Sequence, residues 1–316
     1  MSLRIALFGQ APLAVDVLNG LVAAGHEVVA VYAPADRGRP DALATRAEEL
    51  ELRLYRRHFF RKKSGEPIDS ALQDYLKLDV ELNVLASMTS FLPAQITDAP
   101  VHKSVCFHPS LLPRYRGGNA LQWQIIEGEP QTGVSVFVPD EGVDTGPIVV
   151  QKGGETIGPV ETTGSLFFDK LYPLGVAAML EAVAAIDDET AEPRTQDESR
   201  ATFQGLVDEK SAGIDLSRPA AEVDRRVRGC DPRPGGWLRY RGEPIRLYDA
   251  QLRPTTAASE GSEPGTVLDI ADGAMDLVLS GGVLRIGRVR ADSGKETAQA
   301  FSERVGLQPG SALTSA

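Results

Sequence analysis

The chain has 316 residues, of which 42% are hydrophobic and 24% are charged, and this composition excludes a disordered or a fibrous protein. Its 44 acidic and 33 basic side chains leave a net charge of −11, which disfavours broad, non-specific nucleic-acid binding. Two cysteines, Cys106 and Cys230, are too few for a disulfide framework and fit a reducing compartment. The N-terminus lacks the features of a signal peptide, and no apolar stretch is long enough to span a bilayer. We therefore expect a cytoplasmic protein without membrane contact.

The first half of the chain alternates short apolar runs with segments of helical spacing. Strands are predicted at 3–8, 28–32, 52–55, 82–86, 104–107, 134–138 and 148–151. Helices are predicted at 13–24, 41–50, 68–76, from about 119 onward, and at 163–186 with a kink at Pro173. This alternation indicates a Rossmann-like α/β domain with a mostly parallel sheet. In such sheets ligands bind outside the carboxyl ends of the strands, so we expect functional residues just after strands.

The sequence changes character at residue 187. Residues 187–203 are polar and without periodicity, which is typical of a linker. A helix at 220–228 follows, and then short strands separated by Gly and Pro turns at 237–240, 245–252, 266–271, 275–279 and 283–289. This pattern predicts a small, OB-like β-barrel. The expected organisation is a catalytic domain over 1–190, a linker over 191–204 and a β-barrel domain over 205–316.

Two loops carry residue types that suit acid–base chemistry. The first reads CFHPSLLPRYRGG from Cys106, and the second reads DEGVDTG from Asp140. Both are predicted to follow strands of the parallel sheet. An imidazole and a carboxylate on neighbouring strand ends can pair, and the carboxylate then fixes the tautomer and favours the charged form. His108 and Asp144 are therefore a candidate acid–base pair, the alternative being a turn histidine and a turn-capping aspartate.

The string HPSLLPRYRGG, followed by Asp144 in DEGVDTG, resembles the folate-dependent formyltransferase family of one-carbon metabolism. The opening IALFGQ and the stretch ELNVL leading to FLP are most similar to the N-terminal hydrolase domain of 10-formyltetrahydrofolate dehydrogenase. The last third is also similar to the C-terminal barrel of methionyl-tRNA formyltransferase. The resemblance runs over nearly the whole chain and implies a formyltransferase fold followed by that barrel.

The resemblance implies cleavage of the formyl group of 10-formyltetrahydrofolate, with no metal and no NAD(P)-dependent step. His108 would stabilise the tetrahedral oxyanion or move its proton, and Asp144 would hold His108 in its active form. The pterin would lie in a mostly apolar slot formed by two segments. Its implied walls are Leu85, Ala86, Ser87, Met88 and Phe91 in one segment and Val138, Asp140, Glu141 and Val143 in the closing loop. For Leu85 and Phe91 the alternative is ordinary core packing.

Cys106 stands where transferases of this family usually carry an asparagine, whose amide can donate a hydrogen bond to the formyl oxygen. A thiol is a weak donor, and loss of one oxyanion donor costs about 100- to 1000-fold in turnover. We therefore favour water as the formyl acceptor, giving tetrahydrofolate and formate. An amine acceptor stays open: methionyl-tRNA first, otherwise an amino sugar or an amino acid. A second open alternative makes Cys106 a catalytic nucleophile that takes the formyl group as a thioester.

Basic segments leave the question of RNA contact open. The run at 53–63, which includes His58, is either a nucleic-acid surface or a solvated loop anchored by Phe59 and Phe60. Residues 218–246 contain eight Arg against four acidic residues, a modest excess of four charges. Arg114 and Arg116 flank the active loop and are expected to steer an anionic substrate. We favour a folate over tRNA as the partner, and the sequence leaves the oligomeric state open.

The sequence disfavours two rival functions. A non-catalytic folate-binding protein would not need both His108 and Asp144. A nucleotide-binding oxidoreductase would need a Gly-x-Gly-x-x-Gly turn after the first strand, but that turn reads GQAPLA and has only the first glycine. The sequence therefore favours an enzyme of the formyltransferase type.

Overall fold

The computed structural model describes residues 2–36, 38–57, 59–88 and 90–316, and His58 of the basic run lies outside these ranges. The chain forms two compact units. The first contains Met1–Gly117, Gly133–Gly154 and Lys170–Phe203, and the second contains Gly118–Thr132, Glu155–Asp169 and Gln204–Ala316. The segment expected to be a linker thus belongs to the first unit up to Phe203. The division of the sequence into a catalytic domain at 1–190 and a β-barrel domain at 205–316 stays a prediction.

The first unit is built on a seven-stranded sheet. Its strands are β1 Arg4–Gly9, β2 Glu27–Ala33, β3 Leu54–Arg56, β4 Leu82–Ala86, β5 Ser104–His108, β6 Gln131–Phe137 and β7 Ile148–Thr156, in the order β3-β2-β1-β4-β5-β6-β7. Strands β1 to β5 pair in parallel, whereas β6 is antiparallel to β5. The mostly parallel sheet is confirmed. The expectation that the Asp144 loop follows a parallel strand is wrong, because that loop follows β6.

Ten α-helices lie in the described parts of the chain. They are α1 Leu13–Ala23, α2 Ala42–Glu49, α3 Asp69–Leu76, α4 Ala94–Thr97, α5 Ala120–Glu127, α6 Thr163–Ser165, α7 Tyr172–Asp187, α8 Glu209–Ala212, α9 Ala220–Cys230 and α10 Ala298–Val305. The helix predicted over 163–186 is interrupted by a π-helical segment, Leu166–Leu171. Pro173 has no N–H to donate to the carbonyl four residues earlier, so the regular hydrogen-bond ladder cannot run through this point. No described helix is long and apolar enough to cross a membrane.

The second unit contains an antiparallel sheet, as predicted. Its strands are β8 Gly236–Tyr240, β9 Glu243–Arg253, β10 Val267–Ala271, β11 Ala274–Leu279, β12 Gly282–Ala291 and β13 Gly294–Thr297. The order is β10-β11-β12-β9-β8, with β13 on β12. The C-terminal segment bridges both edges, because Thr314 pairs with Arg239 in β8 and Ala312 pairs with Thr266 beside β10. These bridges cover edges that would otherwise expose unpaired backbone groups.

Candidate functional site

The centre of the candidate site is the end of β5, where His108 is buried with 6% of its surface exposed. Its Nε2 lies 2.7 Å from the carbonyl oxygen of Tyr115. Since a carbonyl oxygen can only accept, Nε2 carries the hydrogen and donates it. The other ring nitrogen, Nδ1, lies 3.4 Å from Oδ2 of Asp144. The two residues that the sequence analysis paired are therefore neighbours in the fold.

Electrostatics set the protonation state of this pair. Burial lowers the pKa of His108 below its usual value, and the Asp144 carboxylate and the Tyr115 carbonyl oppose this effect. Burial is the largest cause, so the imidazole is neutral at pH 7, with its Nδ1 lone pair available. A proton taken up at Nδ1 would place a positive charge beside the Asp144 carboxylate. The arrangement therefore suits a general base whose charged form is stabilised by its neighbour.

The DEGVDTG loop holds Asp144 through its own backbone geometry. Asp144 has a φ of 57°, and its Oδ2 accepts a hydrogen bond of 2.8 Å from the backbone N–H of Gly117. Asp140 Oδ1 accepts from Thr145 Oγ1 at 2.5 Å and from the N–H of Gly142 at 3.0 Å. A Cβ at Gly146 would lie 1.8 Å from the carbonyl oxygen of Val138, so only glycine fits there. The small and acidic residues of the motif thus shape the turn that aims Asp144 at His108.

Cys106 lies on β5 opposite Leu85 of β4 and Phe137 of β6. Burial raises the pKa of its thiol well above the usual value, and the Asp144 carboxylate raises it further. Because the thiolate is the nucleophilic form, a thiol that stays protonated is a poor nucleophile. The environment therefore disfavours the thioester alternative for Cys106.

The sequence analysis missed Gln196, which lies in the segment expected to be a linker. It is 5% exposed, and its Nε2 donates to the carbonyl oxygens of Asp144 at 2.8 Å and Gly146 at 2.7 Å. Its Oε1 accepts from Nε and Nη2 of Arg116 at 3.1 and 2.9 Å. One side chain thus joins the two loops that carry His108 and Asp144. A lone Gln in a polar segment has no sequence signature, so pattern analysis had no signal for it.

A second set of contacts fixes the backbone beside His108. Oγ1 of Thr202 accepts a hydrogen bond of 2.8 Å from the backbone N–H of Tyr115. The carbonyl oxygen of Thr202 accepts one of 2.9 Å from the backbone N–H of Arg116. The Tyr115 carbonyl is the group that receives the Nε2 hydrogen of His108. Segment 196–202 therefore supports both the tautomer of His108 and the position of Asp144.

Arg116 corrects an expectation about substrate steering. Its side chain is only 7% exposed, and its Nη2 lies 2.6 Å from Oε1 of Glu198. With its guanidinium also bound to Gln196, Arg116 is part of a buried internal network and is not exposed for steering an anion. Arg114 lies with its guanidinium 5.3 Å from the ring centre of Tyr115.

Of the residues in the first segment expected to bind the pterin, some are buried in the core and Phe91 is exposed. Leu85 and Ala86 are buried, and Leu85 packs in the core with Phe8 and Ile96. Ser87 follows them with a left-handed φ of 61°, and Met88 packs against the same core. Phe91 is 57% exposed with the Arg61 guanidinium 4.5 Å from its ring centre, so the core-packing alternative for Phe91 is wrong.

The residues of the predicted closing loop, 138–143, are more exposed to solvent than Leu85 and Ala86 of the first segment. Val138 is half-buried and its N–H donates to the carbonyl oxygen of Pro147, whereas Asp140, Glu141 and Val143 are exposed. Contact between these residues and a folate stays a prediction.

Much of the charge in the basic segments is paired. Arg56 binds Glu48, and Arg57 binds Asp74. In the second basic segment, 218–246, Arg218 pairs with Glu222, Arg228 with Asp224 and Arg246 with Glu209. Phe60 is buried and Phe59 is 70% exposed, so one of the two aromatic residues anchors the first run. Pairing reduces the charge available to RNA, and RNA contact stays untested.

Within the described residues, no three His, Cys, Asp or Glu side chains are grouped so that they could hold a metal ion. The donor set at the site is one imidazole, one carboxylate and one thiol. Its geometry suits proton transfer at Nδ1 of His108.

Comparison with known proteins gives two family matches. A profile described as "Formyl transferase" matches residues 3–183, and one described as "Formyl transferase, C-terminal domain" matches residues 207–304. Mitochondrial 10-formyltetrahydrofolate dehydrogenase of Mus musculus is 36% identical over 269 residues, which are 85% of this chain and 28% of that protein. The chain therefore spans less than a third of this relative.

Methionyl-tRNA formyltransferase of Dinoroseobacter shibae is 37% identical over 298 residues, which are 92% of this chain and 95% of that protein. Among solved structures, HypX from Aquifex aeolicus in complex with tetrahydrofolic acid has a TM-score of 0.71 at 19% identity. That match covers 96% of this chain and 47% of the HypX chain. This structural likeness supports the fold.

Proposed function

We propose that this chain, which belongs to the formyl transferase family, removes the formyl group from 10-formyltetrahydrofolate with water as the acceptor. The family matches confirm the resemblance that the two loops carry. The observation that supports the reaction is the buried pair of His108 and Asp144, with Nδ1 facing the carboxylate at 3.4 Å. A neutral imidazole beside a carboxylate can take a proton from water at neutral pH.

In the proposed reaction, a water oxygen forms a bond to the formyl carbon while Nδ1 of His108 takes the proton that the water releases. Asp144 stabilises the imidazolium that results. The tetrahedral intermediate then breaks its bond to N10 of the folate, and the imidazolium returns the proton to N10. Tetrahydrofolate and formic acid leave, and the acid ionises in solution. The residues of this chain therefore supply the base, the acid and the charge that stabilises both.

Water is favoured as the acceptor because Cys106 replaces the amide donor that efficient transfer would use. The second candidate is transfer to an amine, with methionyl-tRNA first and an amino sugar or amino acid next. It is favoured by the match to a methionyl-tRNA formyltransferase over 95% of that protein's length. Both candidates use the same folate substrate and the same pair of residues.

The proposal is tested by incubating the purified chain with 10-formyltetrahydrofolate in ¹⁸O-labelled water, without any amine. We expect steady formation of tetrahydrofolate, with one labelled oxygen in each formate. Parallel reactions contain methionyl-tRNA or an amino sugar. Turnover only in the presence of an amine would replace the hydrolase proposal with a transferase, and folate binding without turnover under all conditions would contradict both.

Replacing Cys106 with alanine is expected to leave kcat for formyl cleavage within about threefold of the wild type, because a protonated thiol is a poor nucleophile. The check is kcat, together with intact-protein mass spectrometry for a formyl adduct. Cys230→Ala is the matched control, since Cys230 is a buried thiol in the core of the second unit. A loss of about 1000-fold confined to Cys106→Ala, or a formyl adduct on Cys106, would restore the thioester route.

Replacing Gln196 is expected to lower kcat by about 10- to 100-fold with little change in KM, because misplaced catalytic groups lose rate while binding persists. Gln196→Ala removes the donors to the Asp144 and Gly146 carbonyls. Gln196→Glu also removes them and leaves Arg116 an acceptor, but it places a carboxylate oxygen against the two carbonyl oxygens. Both variants are therefore assayed at a temperature at which thermal unfolding shows them to be folded.

Gln204→Ala is the control for the Gln196 variants, because its amide lies 3.5 Å from Glu127 and contacts neither loop. A fall in kcat that only follows a fall in thermal stability would assign Gln196 a merely structural role. Equal kcat in Gln196→Glu and the wild type would contradict a positioning role.

A further inference from the structure

The loop at 109–115, which follows β5, is seated on β6 and fastened from β7. His108 is the last residue of β5, and its cross-strand neighbour on β6 is Ser135. A Cβ at Gly133 of β6 would lie 2.6 Å from Cδ2 of Leu111, so the missing side chain leaves the space that Leu111 occupies. The loop therefore lies against β6 directly beside His108.

The hydroxyl of Ser135 holds the first half of this loop. Ser135 is fully buried, and its Oγ donates to the carbonyl oxygen of Ser110 at 2.7 Å. The same oxygen accepts the N–H of Leu112 at 3.1 Å and a hydrogen of Nε2 of Gln151 at 2.9 Å. A serine hydroxyl has one hydrogen and two lone pairs, so these three hydrogen bonds use its full capacity.

Gln151 on β7 closes these contacts into a ring of hydrogen bonds. Besides Oγ of Ser135, its Nε2 donates to the carbonyl oxygen of Leu112 at 2.9 Å. Both partners present lone pairs to Gln151, because the hydrogen of the Ser135 hydroxyl is directed at Ser110. The position therefore requires a side chain that donates two hydrogen bonds, and the NH₂ group of an amide does so.

The hydrogen bonds continue from Ser110 to the imidazole. Oγ of Ser110 donates to the carbonyl oxygen of Arg114 at 2.7 Å. The peptide group of that carbonyl also contains the N–H of Tyr115, which Oγ1 of Thr202 accepts. The Tyr115 carbonyl in turn accepts the Nε2 hydrogen of His108. A continuous set of contacts thus runs from β7 to the ring of His108.

The Tyr115 carbonyl determines which ring nitrogen of neutral His108 carries the hydrogen. A hydrogen on Nε2 has this carbonyl as its acceptor at 2.7 Å, whereas a hydrogen on Nδ1 would have the Asp144 carboxylate as its acceptor. The two tautomers therefore compete for these acceptors. Only the tautomer with its hydrogen on Nε2 leaves the Nδ1 lone pair free to take a proton.

We propose that Gln151, acting through Ser135, is a positioning residue that keeps neutral His108 in the tautomer with its hydrogen on Nε2. Loss of its two donors loosens the loop and withdraws the Tyr115 carbonyl from the ring. By exchange with water, the hydrogen then occupies Nδ1, where the Asp144 carboxylate accepts it, and the base is lost. The effect on rate rests on the proposed formyl cleavage, whereas the tautomer is a property of the folded chain without substrate.

The test is ¹⁵N NMR of the His108 imidazole in the full chain without folate, since a ring nitrogen that carries hydrogen differs in chemical shift from one with a lone pair. The signal is assigned by its absence from His108→Ala. At neutral pH we expect hydrogen on Nε2 in the wild type and a signal for hydrogen on Nδ1 in Gln151→Met. Gln131→Met is the matched control, because Gln131 is exposed at the start of β6, and it should keep the wild-type tautomer.

Gln151→Glu is the second variant, because it keeps the shape of the side chain but has no hydrogen to donate when ionised. Both variants are measured below their unfolding temperatures. Hydrogen on Nδ1 in the wild type, or the wild-type tautomer in both Gln151 variants, would overturn the proposal. This result does not depend on turnover, so failure of the proposed formyl cleavage and failure of the Gln151 assignment are distinguishable.

The rate gives a second readout. We expect kcat for formyl cleavage in Gln151→Met to fall by about tenfold with KM nearly unchanged, because the base is misplaced while binding persists. Asp144 is the charged group that faces the ring, and the Tyr115 carbonyl adds to its effect by raising the pKa of His108. Withdrawal of the carbonyl lowers this pKa, so the acidic limb of kcat/KM should move to lower pH. A fall in kcat with the tautomer and the limb unchanged would assign Gln151 a merely structural role.

Discussion

Replacing His108 with alanine is expected to lower kcat for formyl cleavage by about 1000-fold or more, within the range that general acid–base groups contribute. The variant loses Nδ1, which faces the Asp144 carboxylate at 3.4 Å and is the proposed proton acceptor. Folate affinity should stay within about threefold of the wild type, because the lost group acts in the transition state. The measurements are kcat from tetrahydrofolate formation and the Kd for tetrahydrofolate.

His102→Ala is the matched control, because His102 precedes the first residue of β5 whereas His108 is the last residue of that strand. Thermal unfolding of His108→Ala separates loss of chemistry from loss of the fold. Turnover above about one tenth of the wild-type rate would contradict a general-base role, since even weak bases contribute about 100-fold.

The pH profile gives an independent check on His108. Only the neutral imidazole can accept a proton, so activity must fall as pH falls through the His108 pKa. Burial lowers that pKa below the ordinary value of about 6.5, so the acidic limb of kcat/KM should lie below pH 6.5 with a plateau at neutral pH. A limb above pH 6.5 would mean that another group titrates.

The sequence predicted those parts of the molecule that local patterns determine. The run at β4 is fully buried, and a continuous apolar run bounded by turns is typical of a central parallel strand. His108 could be found because it stands at the carboxyl end of a strand of the parallel sheet, where such sheets collect functional groups. Asp144 could be found because its loop requires small and acidic residues, as the close approach of Gly146 to Val138 shows.

The parts that the sequence did not predict depend on long-range contacts. Nothing local shows that β6 runs antiparallel to β5, since strand direction is a property of the pairing. Arg116 looked exposed because arginine is usually exposed, but Glu198 and Gln196 make its burial tolerable. Segment 196–202 has the composition of a linker, and only its partners in the two loops give it a fixed place.

The helix α10 was missed for a different reason. Thr297 caps it through a hydrogen bond to the N–H of Ala300, and Gly306 ends it with a left-handed φ of 70°. Both are recognised helix signals, so local sequence does indicate this helix.

Replacing Asp144 with asparagine is expected to lower kcat by about 100- to 1000-fold, although the two side chains have the same shape. An amide can still accept the N–H of Gly117, so the DEGVDTG loop should keep its path. What it lacks is the negative charge that stabilises the imidazolium of His108. We therefore describe Asp144 as a positioning and charge-stabilising residue that acts through His108.

The pH profile distinguishes this role from a direct contact with the folate. The Asp144 carboxylate raises the pKa of His108 against the effect of burial, so removing the charge must shift the acidic limb of the remaining activity to lower pH. Asp98→Asn is the control, since its nearest ion-pair partner is Lys103 at 4.0 Å and it lies outside the proposed site. The opposite result would be weaker folate binding, with kcat and the acidic limb of the pH profile both unchanged. That result would make Asp144 a substrate contact. A fall in kcat with the shifted limb is the combination that only a carboxylate acting on His108 explains.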